Sequence, residues 1–384
     1  MILKNQVDED LLKKMQMHPK FKHILHDYKP MTLYERFKIY IFPGPILALI
    51  KGVLMVFTFF LHYVCQRIVF IGYNDWEKPA PKWRRVASQY VMRFWCIVVM
   101  VCAGFFHIKY IDHTKKRPVS RQPKDLPKFK WNEPYPLVGP HMSLFDIISV
   151  GGYVGTPSFV AKATMKNVPI VSFLLKAYRC ILVEREVEKA KTGNSHSSSA
   201  GLIVKRISNP QPNEYTPLIF AEGTTGNGTC ITRFRKGAFI AGVPVRPFAV
   251  RYPYKFSSIN YDTVDAFPLM WNILTQFYCS FELEIFDVYN PSEAEKADPQ
   301  LYASNVGRYI ADQVGLPYID DIDMRDKTVC LHLLRGKISW NEALDELDHI
   351  DQLRKEEKIK DAERAKANML ALHRLETNDR EKEN

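Results

Sequence analysis

The chain has no CxxC pair. Its seven cysteines (Cys65, Cys96, Cys102, Cys180, Cys230, Cys279 and Cys330) are odd in number and scattered over 384 residues. That pattern argues against a disulfide framework and against a zinc site, and it favours reducing surroundings. Zinc-finger spacing and a basic region followed by leucine heptads are also missing, so the net charge of +11 does not point to nucleic acid as a partner. The first residues lack the apolar core of a secretory signal peptide. The tract Gly193-Asn194-Ser195-His196-Ser197-Ser198-Ser199 is not the G-x-S-x-G of a hydrolase nucleophile and reads as a loop. The C-terminal region contains no D-x-[DN]-x-[DN]-G calcium loop.

What is present is unevenly spread. Hydrophobic residues make up 46% of the chain, enough for one sizeable core and a smaller module. Residues 1–135 hold 23 Lys and Arg against 10 Asp and Glu, residues 136–319 hold 17 against 15, and residues 320–384 hold 13 against 17. The basicity therefore belongs to the N-terminal third, where it flanks apolar stretches, and that combination points to anionic lipid. One apolar run extends from Ile39 to Tyr73 and a second from Tyr90 to Phe106, joined by Lys78-Pro79-Ala80-Pro81-Lys82. Together they predict a helical hairpin in a membrane, with Trp76, Trp83 and Trp95 at headgroup level. Lys51, His62, Gln66 and Arg67 make the first run less than ideal as a span.

From Pro134 onward strands and helices alternate. Strand-like pieces are Tyr135–Gly139, Pro157–Lys162, Cys180–Glu184, Thr216–Ala221, Val245–Tyr252 and Phe281–Val288, with helices starting near Ser143, Met165, Glu186 and Phe267. The alternation predicts an α/β fold with a mainly parallel sheet flanked by helices, preceded by the membrane hairpin and followed by a charged helical tail. The expected divisions are a polar, solvated segment (1–38), the membrane-associated hairpin (39–108), a basic linker (109–133), a catalytic domain (134–318) and the tail (319–384). In the tail, Leu344, Leu347, Ile350 and Leu353 form a stripe for a docked or partner-seeking helix.

Ligands in such sheets sit beyond the carboxyl ends of strands, and the chemically capable residues fall there. His141 follows the first strand, with Asp146 five residues on; a carboxylate beside a histidine fixes its tautomer and makes it a general base. Ser143 and Asp146 also have the spacing of a capping box, with Ser143 as N-cap. The H-x4-D spacing recurs at His107 and Asp112, so strand-end context, and not spacing, singles out His141. Arg185 follows the third strand with a guanidinium fork suited to phosphate. Glu222-Gly223-Thr224 follows the fourth. No serine or cysteine is poised as a nucleophile, so the hydroxyl of the substrate itself can attack.

Taken in order, His141-Met142-Ser143-Leu144-Phe145-Asp146, Ile181-Leu182-Val183-Glu184-Arg185, Phe220-Ala221-Glu222-Gly223-Thr224-Thr225 and Val243-Pro244-Val245-Arg246-Pro247 resemble the four motifs of the 1-acylglycerol-phosphate acyltransferase (PlsC-like) superfamily. The stretches Phe234–Gly242, Val250-Arg251-Tyr252-Pro253 and Pro291–Val306 are similar to its lysophosphatidylcholine acyltransferase branch. The resemblance implies acyl transfer from acyl-CoA, a co-substrate and not a cofactor, to the hydroxyl of a lysophospholipid. It implies His141 as base, Asp146 as its partner, and Arg185, Glu222, Gly223 and Thr224 around the acceptor. Pro140, Arg179 and Ala221 stand where the family usually has Asn, Gly and Pro. The resemblance further implies a membrane enzyme of the endoplasmic reticulum, with the Golgi or lipid droplets as alternatives. A glycerol-3-phosphate or lysophosphatidate acyltransferase would share every one of these residues, whereas an inactive membrane scaffold would need none of them.

Overall fold

In the computed structural model, residues 9–26, 32–114, 135–155, 158–183, 199–210, 214–254 and 258–383 are described, the last turns from 371 by their helical backbone alone. In chain order the helices are α1 (Glu9–Met17), α2 (Leu33–Tyr40), α3 (Gly44–Val69), α4 (Lys82–Ala103), α5 (Asp146–Tyr153), α6 (Pro169–Ala177), α7 (Ser199–Ser208), α8 (Ala266–Leu274), α9 (Glu293–Ala297), α10 (Pro299–Val314), α11 (Met324–Leu334) and α12 (Trp340–Glu383). The strands are β1 (Phe105–Asp112), β2 (Leu137–Gly139), β3 (Ser158–Lys162), β4 (Ile181–Val183), β5 (Pro217–Phe220), β6 (Ile231–Thr232), β7 (Arg246–Arg251), β8 (Cys279–Ile285) and β9 (Tyr318–Ile319).

Seven strands form one sheet in the order β1-β8-β7-β2-β5-β3-β4, parallel at every pairing except β7 with β8. Side chains alternate between its two faces, as the strand period of two requires. Leu137, Leu218, Phe248, Val250, Phe281 and Leu283 join a core with Met100 of α4, Val150 of α5 and Ile273 of α8. Their neighbours Val138, Ile219 and Ala249 face the opposite layer, where Tyr302, Val306 and Ile310 of α10 pack. Asp298 caps α10 by accepting from the N–H groups of Gln300 and Leu301, with Pro299 in the first turn where a missing N–H costs nothing.

All six strands expected from Pro134 onward are present, but the sheet is wider than its sequence pattern showed. Residues 105–112, expected as the end of the hairpin and the start of a linker, are instead edge strand β1, paired in parallel with β8. Gly104, at φ +99, turns α4 directly into it. The N-terminal segment is also not a solvated lead-in. Met15, Phe21, Ile24 and Leu25 are buried against Val329, Leu333, Leu347 and Ile350. The C-terminal region is part of the same body, and its inward stripe is Ala343, Leu347, Ile350 and Arg354, with Leu353 turned outward. The helix expected near Glu186, most of the basic linker and all of the serine-rich tract but Ser199, which opens α7, lie outside the described residues.

The hairpin is inverted in polarity. On α3 the side chains of Lys51, Thr58, His62 and Gln66 are buried, while Leu49, Val53, Val56, Phe57, Phe60 and Ile68 are exposed. Lys51 donates to the carbonyl oxygens of Ala103 and Gln276, His62 meets the Tyr178 hydroxyl, and Gln66 donates to the Ser88 carbonyl and to Tyr178. Of the four residues that weaken α3 as a span in sequence, Lys51, His62 and Gln66 thus lie on its protein-facing side, while Arg67 in its last turn is exposed. Helices α3 and α4 are both long and apolar enough to cross a membrane, and an outward apolar face over an inward polar stripe marks a helix solvated by lipid.

Candidate active site

The sheet delivers the site from three adjacent strands. β2 lies between β5 and β7, so the loops leaving their carboxyl ends meet around His141, Glu222 and Tyr252. Arg246 N–H donates to the Pro136 carbonyl and Ala221 N–H to that of Gly139, locking the three strands in register. The second of these bonds exists because residue 221 is alanine; the proline usual at that point of the family motif has no N–H to give.

His141 Nδ1 lies 2.6 Å from Asp146 Oδ2. The same oxygen accepts the N–H groups of Met142 (2.6 Å) and Ser143 (3.0 Å), and Oδ1 accepts the Tyr252 hydroxyl at 2.6 Å. Asp146 is fully buried, and the Met142, Ser143 and Tyr252 groups on it are all donors, so the carboxylate acts as acceptor throughout and His141 carries its proton on Nδ1. Nε2 then presents a lone pair. Among the described residues no protein group engages it, and the half-buried ring stacks on Phe220 with centroids 4.1 Å apart. Burial, followed by the adjacent Asp146 charge, holds the Tyr252 hydroxyl well above the ordinary tyrosine range, so it remains a donor.

This geometry corrects the capping-box expectation. Helix α5 begins at Asp146, two residues later than an N-cap at Ser143 implied. Ser143 Oγ donates to the Ile259 carbonyl, and the Asp146 N–H goes to the Ser143 carbonyl and not to its hydroxyl. The carboxylate gathers the loop N–H groups and the imidazole together, which a reciprocal cap does not do.

Glu222, expected to line the acceptor site, faces inward. It is 1% exposed; Oε2 accepts the His141 N–H at 2.8 Å, and Oε1 accepts the Thr232 N–H (2.8 Å) and hydroxyl (2.9 Å). Burial pushes its carboxyl up from the usual range, opposed by those same hydrogen bonds. Its role in this geometry is to fix the backbone of His141. Gly223 and Thr224 remain at the open side, Gly223 at φ +70. β4 ends at Val183, so Arg185 lies outside the described residues.

The rival pair does not converge. His107 and Asp112 lie on β1, where an offset of five puts them on opposite faces, about 16 Å apart along the strand. Asp112 instead accepts from the backbone and hydroxyl of Thr114. Arg179, where the family usually has glycine, has φ +51, a conformation that costs a non-glycine residue about 1–2 kcal/mol. Its guanidinium is held by Glu214 and by the carbonyls of Trp76 and Glu77, which ties this strained turn to the hairpin.

Two supports were not legible as site residues. Tyr252 stands at the end of β7, a position that strand-end reasoning can flag, but its bond to Asp146 spans the whole domain. Lys327 of α11 donates to the Thr225 carbonyl and hydroxyl and to the Tyr261 carbonyl; nothing near it in sequence resembles a site.

The family profile described as Acyltransferase matches residues 114–251. The chain is 29% identical over 302 residues to lysophospholipid acyltransferase LPCAT4 of Xenopus tropicalis, covering 77% of this chain and 53% of that one. It is 29% identical over 269 residues to lysophospholipid acyltransferase LPEAT1 of Arabidopsis thaliana (67% and 66%), and 34% identical over 251 residues to human lysophosphatidylcholine acyltransferase 1 (64% and 42%). The chain thus spans about half the length of the curated relatives it matches. The solved structure of the 1-acyl-sn-glycerophosphate (LPA) acyltransferase PlsC from Thermotoga maritima aligns with a TM-score of 0.45 at 16% identity, over 71% of this chain and 96% of that one. Residues 114–251, which contain the His141, Asp146 and Glu222 described above, are thus the segment of this chain that matches the acyltransferase family.

Proposed function

We propose that the protein moves an acyl chain from acyl-CoA to the free hydroxyl of a lysophospholipid, with a lysophosphatidylcholine-like acceptor favoured, in phospholipid synthesis or remodelling. The observation that carries this reading is the open Nε2 of His141, whose other nitrogen is held by a buried carboxylate. In the reaction, Nε2 takes the acceptor hydroxyl proton as its oxygen attacks the thioester carbonyl. Collapse of the tetrahedral adduct forms the ester, breaks the C–S bond and expels the CoA thiolate, which recovers the proton from the imidazolium. Asp146 stabilises that imidazolium and needs no proton itself. The names of the relatives support the lysophospholipid acceptor, and no cofactor beyond the co-substrate is invoked.

The site works at a membrane surface in this reading. The inward stripe of α3 touches the catalytic domain from Lys51 to Gln66, about 22 Å of helix. A helix attached to the domain over most of a bilayer thickness favours one-sided embedding, with the active site on the cytosolic side of the endoplasmic reticulum where acyl-CoA is available.

Labelled acyl-CoA offered with a panel of lysophospholipids to purified protein tests the activity; transfer to lysophosphatidylcholine ahead of lysophosphatidate and glycerol 3-phosphate is expected. Preference for either of the last two reassigns the acceptor, and no transfer to any of them refutes the reading. Alkaline carbonate should leave the protein in the membrane pellet, and release into the supernatant would remove the case for embedding.

A further inference from the structure

The loop after β6 places a cation against the catalytic turn. Arg235 N–H donates to the Ala221 carbonyl at 2.7 Å, immediately before Glu222. On one side Phe234 is fully buried and its carbonyl accepts from Gln300. On the other, Lys236 is paired with Asp361 at 2.6 Å. The Arg235 backbone is therefore fixed while its side chain turns outward and is exposed.

That side chain lies across Gly223. A Cβ built on Gly223 would be 2.7 Å from Arg235 Cδ and 3.6 Å from Nη1. Glycine is thus required there twice, by its φ of +70 and by the arginine above it. Among the described residues no acid pairs with this guanidinium, and the adjacent Glu222 is turned inward with both oxygens engaged. Thr224, the next residue of the turn, makes no side-chain hydrogen bond within the described protein.

We propose that Arg235, with the Thr224 hydroxyl, binds the phosphate of the acyl acceptor and so selects phosphate-bearing lipids; this rests on the activity proposed above. In a 1-acyl glycerophospholipid the free hydroxyl and the phosphate are carried by neighbouring carbons. A base that reaches the hydroxyl therefore requires a phosphate contact a few bonds away. The turn that carries Gly223 is tied to His141 through Glu222 and through the Gly226 N–H, which donates to the His141 carbonyl at 2.7 Å. A planar guanidinium can give phosphate two parallel N–H bonds. The phosphates of CoA share this chemistry, and the test separates the two.

Arg235→Gln should raise the acceptor KM about ten- to a hundred-fold, the loss typical of a hydrogen bond to a charged group. The acyl-CoA KM should not change, nor should the rate with 1-monoacylglycerol, which has the hydroxyl without the phosphate. Arg235→Lys should fall between Arg235→Gln and wild type. A rise confined to the acyl-CoA KM would assign the guanidinium to the donor and overturn the proposal, as would no change in either constant. An inactive wild type refutes the activity alone, and a second measurement then still decides the residue. Inorganic phosphate, titrated at constant ionic strength, should raise the Tm of wild type and not of Arg235→Gln, and equal shifts would overturn the site.

Discussion

Lys327 Nζ, on a helix outside the family-matched segment, donates to Thr225 Oγ1 at 3.0 Å. It also reaches the Tyr261 carbonyl, and the Tyr261 N–H in turn donates to the Met142 carbonyl at 2.7 Å. A single ammonium thus braces the loop after Glu222 and, through Tyr261, the loop after His141. The N-terminal segment adds to the brace, since Asn227 donates to the Leu25 carbonyl and the buried His26 ring faces Asp262 at 2.8 Å.

Lys327→Met is accordingly expected to lower stability by about 1.5–3 kcal/mol, the range for a hydrogen-bonded charge, and to reduce kcat in the protein that remains folded. Thermal unfolding and turnover per folded molecule check the two parts. A variant with unchanged kcat would make α11 a passive neighbour of the site.

Tyr252→Phe removes the one donor to Asp146 Oδ1 and keeps the ring packed between Phe105 and Phe281. With Oδ2 still held by three donors, the carboxylate stays in place but loses one charge-assisted bond. A fall in kcat of about ten-fold or more is expected, with acceptor KM and Tm little changed. Full activity would show that the three bonds to Oδ2 suffice.

Where sequence and structure diverge, the cause is sequence distance. The His141 site was legible because strand, loop and carboxylate are contiguous. β1 was not, since Phe105 and Phe106 extend an apolar run, Lys109 leads into a basic one, and the partner strand β8 comes far later. The packing of the N-terminal segment against α11 and α12 was hidden for the same reason. Met15, Phe21, Ile24 and Leu25 make no unbroken helical stripe, and Lys20 meets Asp326 and Asp351 more than 300 residues away. The α3 stripe is the opposite case: Lys51, Thr58, His62 and Gln66 recur at seven and four residues, a helical period readable as one inward face.

The pairing of α11 with α12 through Asp323 should loosen in acid. Burial alone would raise the Asp323 carboxyl, but the hydrogen bonds and charge of Arg325, with Arg354 behind, outweigh it and bring it down to about 2. A carboxyl depressed in the folded state contributes stability above its unfolded pKa and loses it as pH falls through the folded one, here between about 4 and about 2. Asp323→Asn should therefore flatten the pH dependence of Tm across that interval. The same slope in variant and wild type would exclude Asp323 as its source.

The two H-x4-D pairs allow the mechanism itself to be tested within one chain. Spacing alone makes His107 and His141 equivalent, whereas the structure gives His141 a buried carboxylate partner and leaves His107 exposed on an edge strand. His141→Ala should lower acyl transfer about 100- to 10,000-fold, the usual loss of a general base, and His107→Ala should leave most of it. Asp146→Asn separates charge from geometry. The amide oxygen can take over the bonds at Oδ2, and its NH2 would face the Tyr252 hydroxyl, which can accept as well as donate. The loop is then preserved and only the charge that stabilises the imidazolium is lost. A large drop in kcat with unchanged Tm is expected; near-normal turnover would make Asp146 a loop anchor alone, and an active His141→Ala enzyme would end the case for His141 as base.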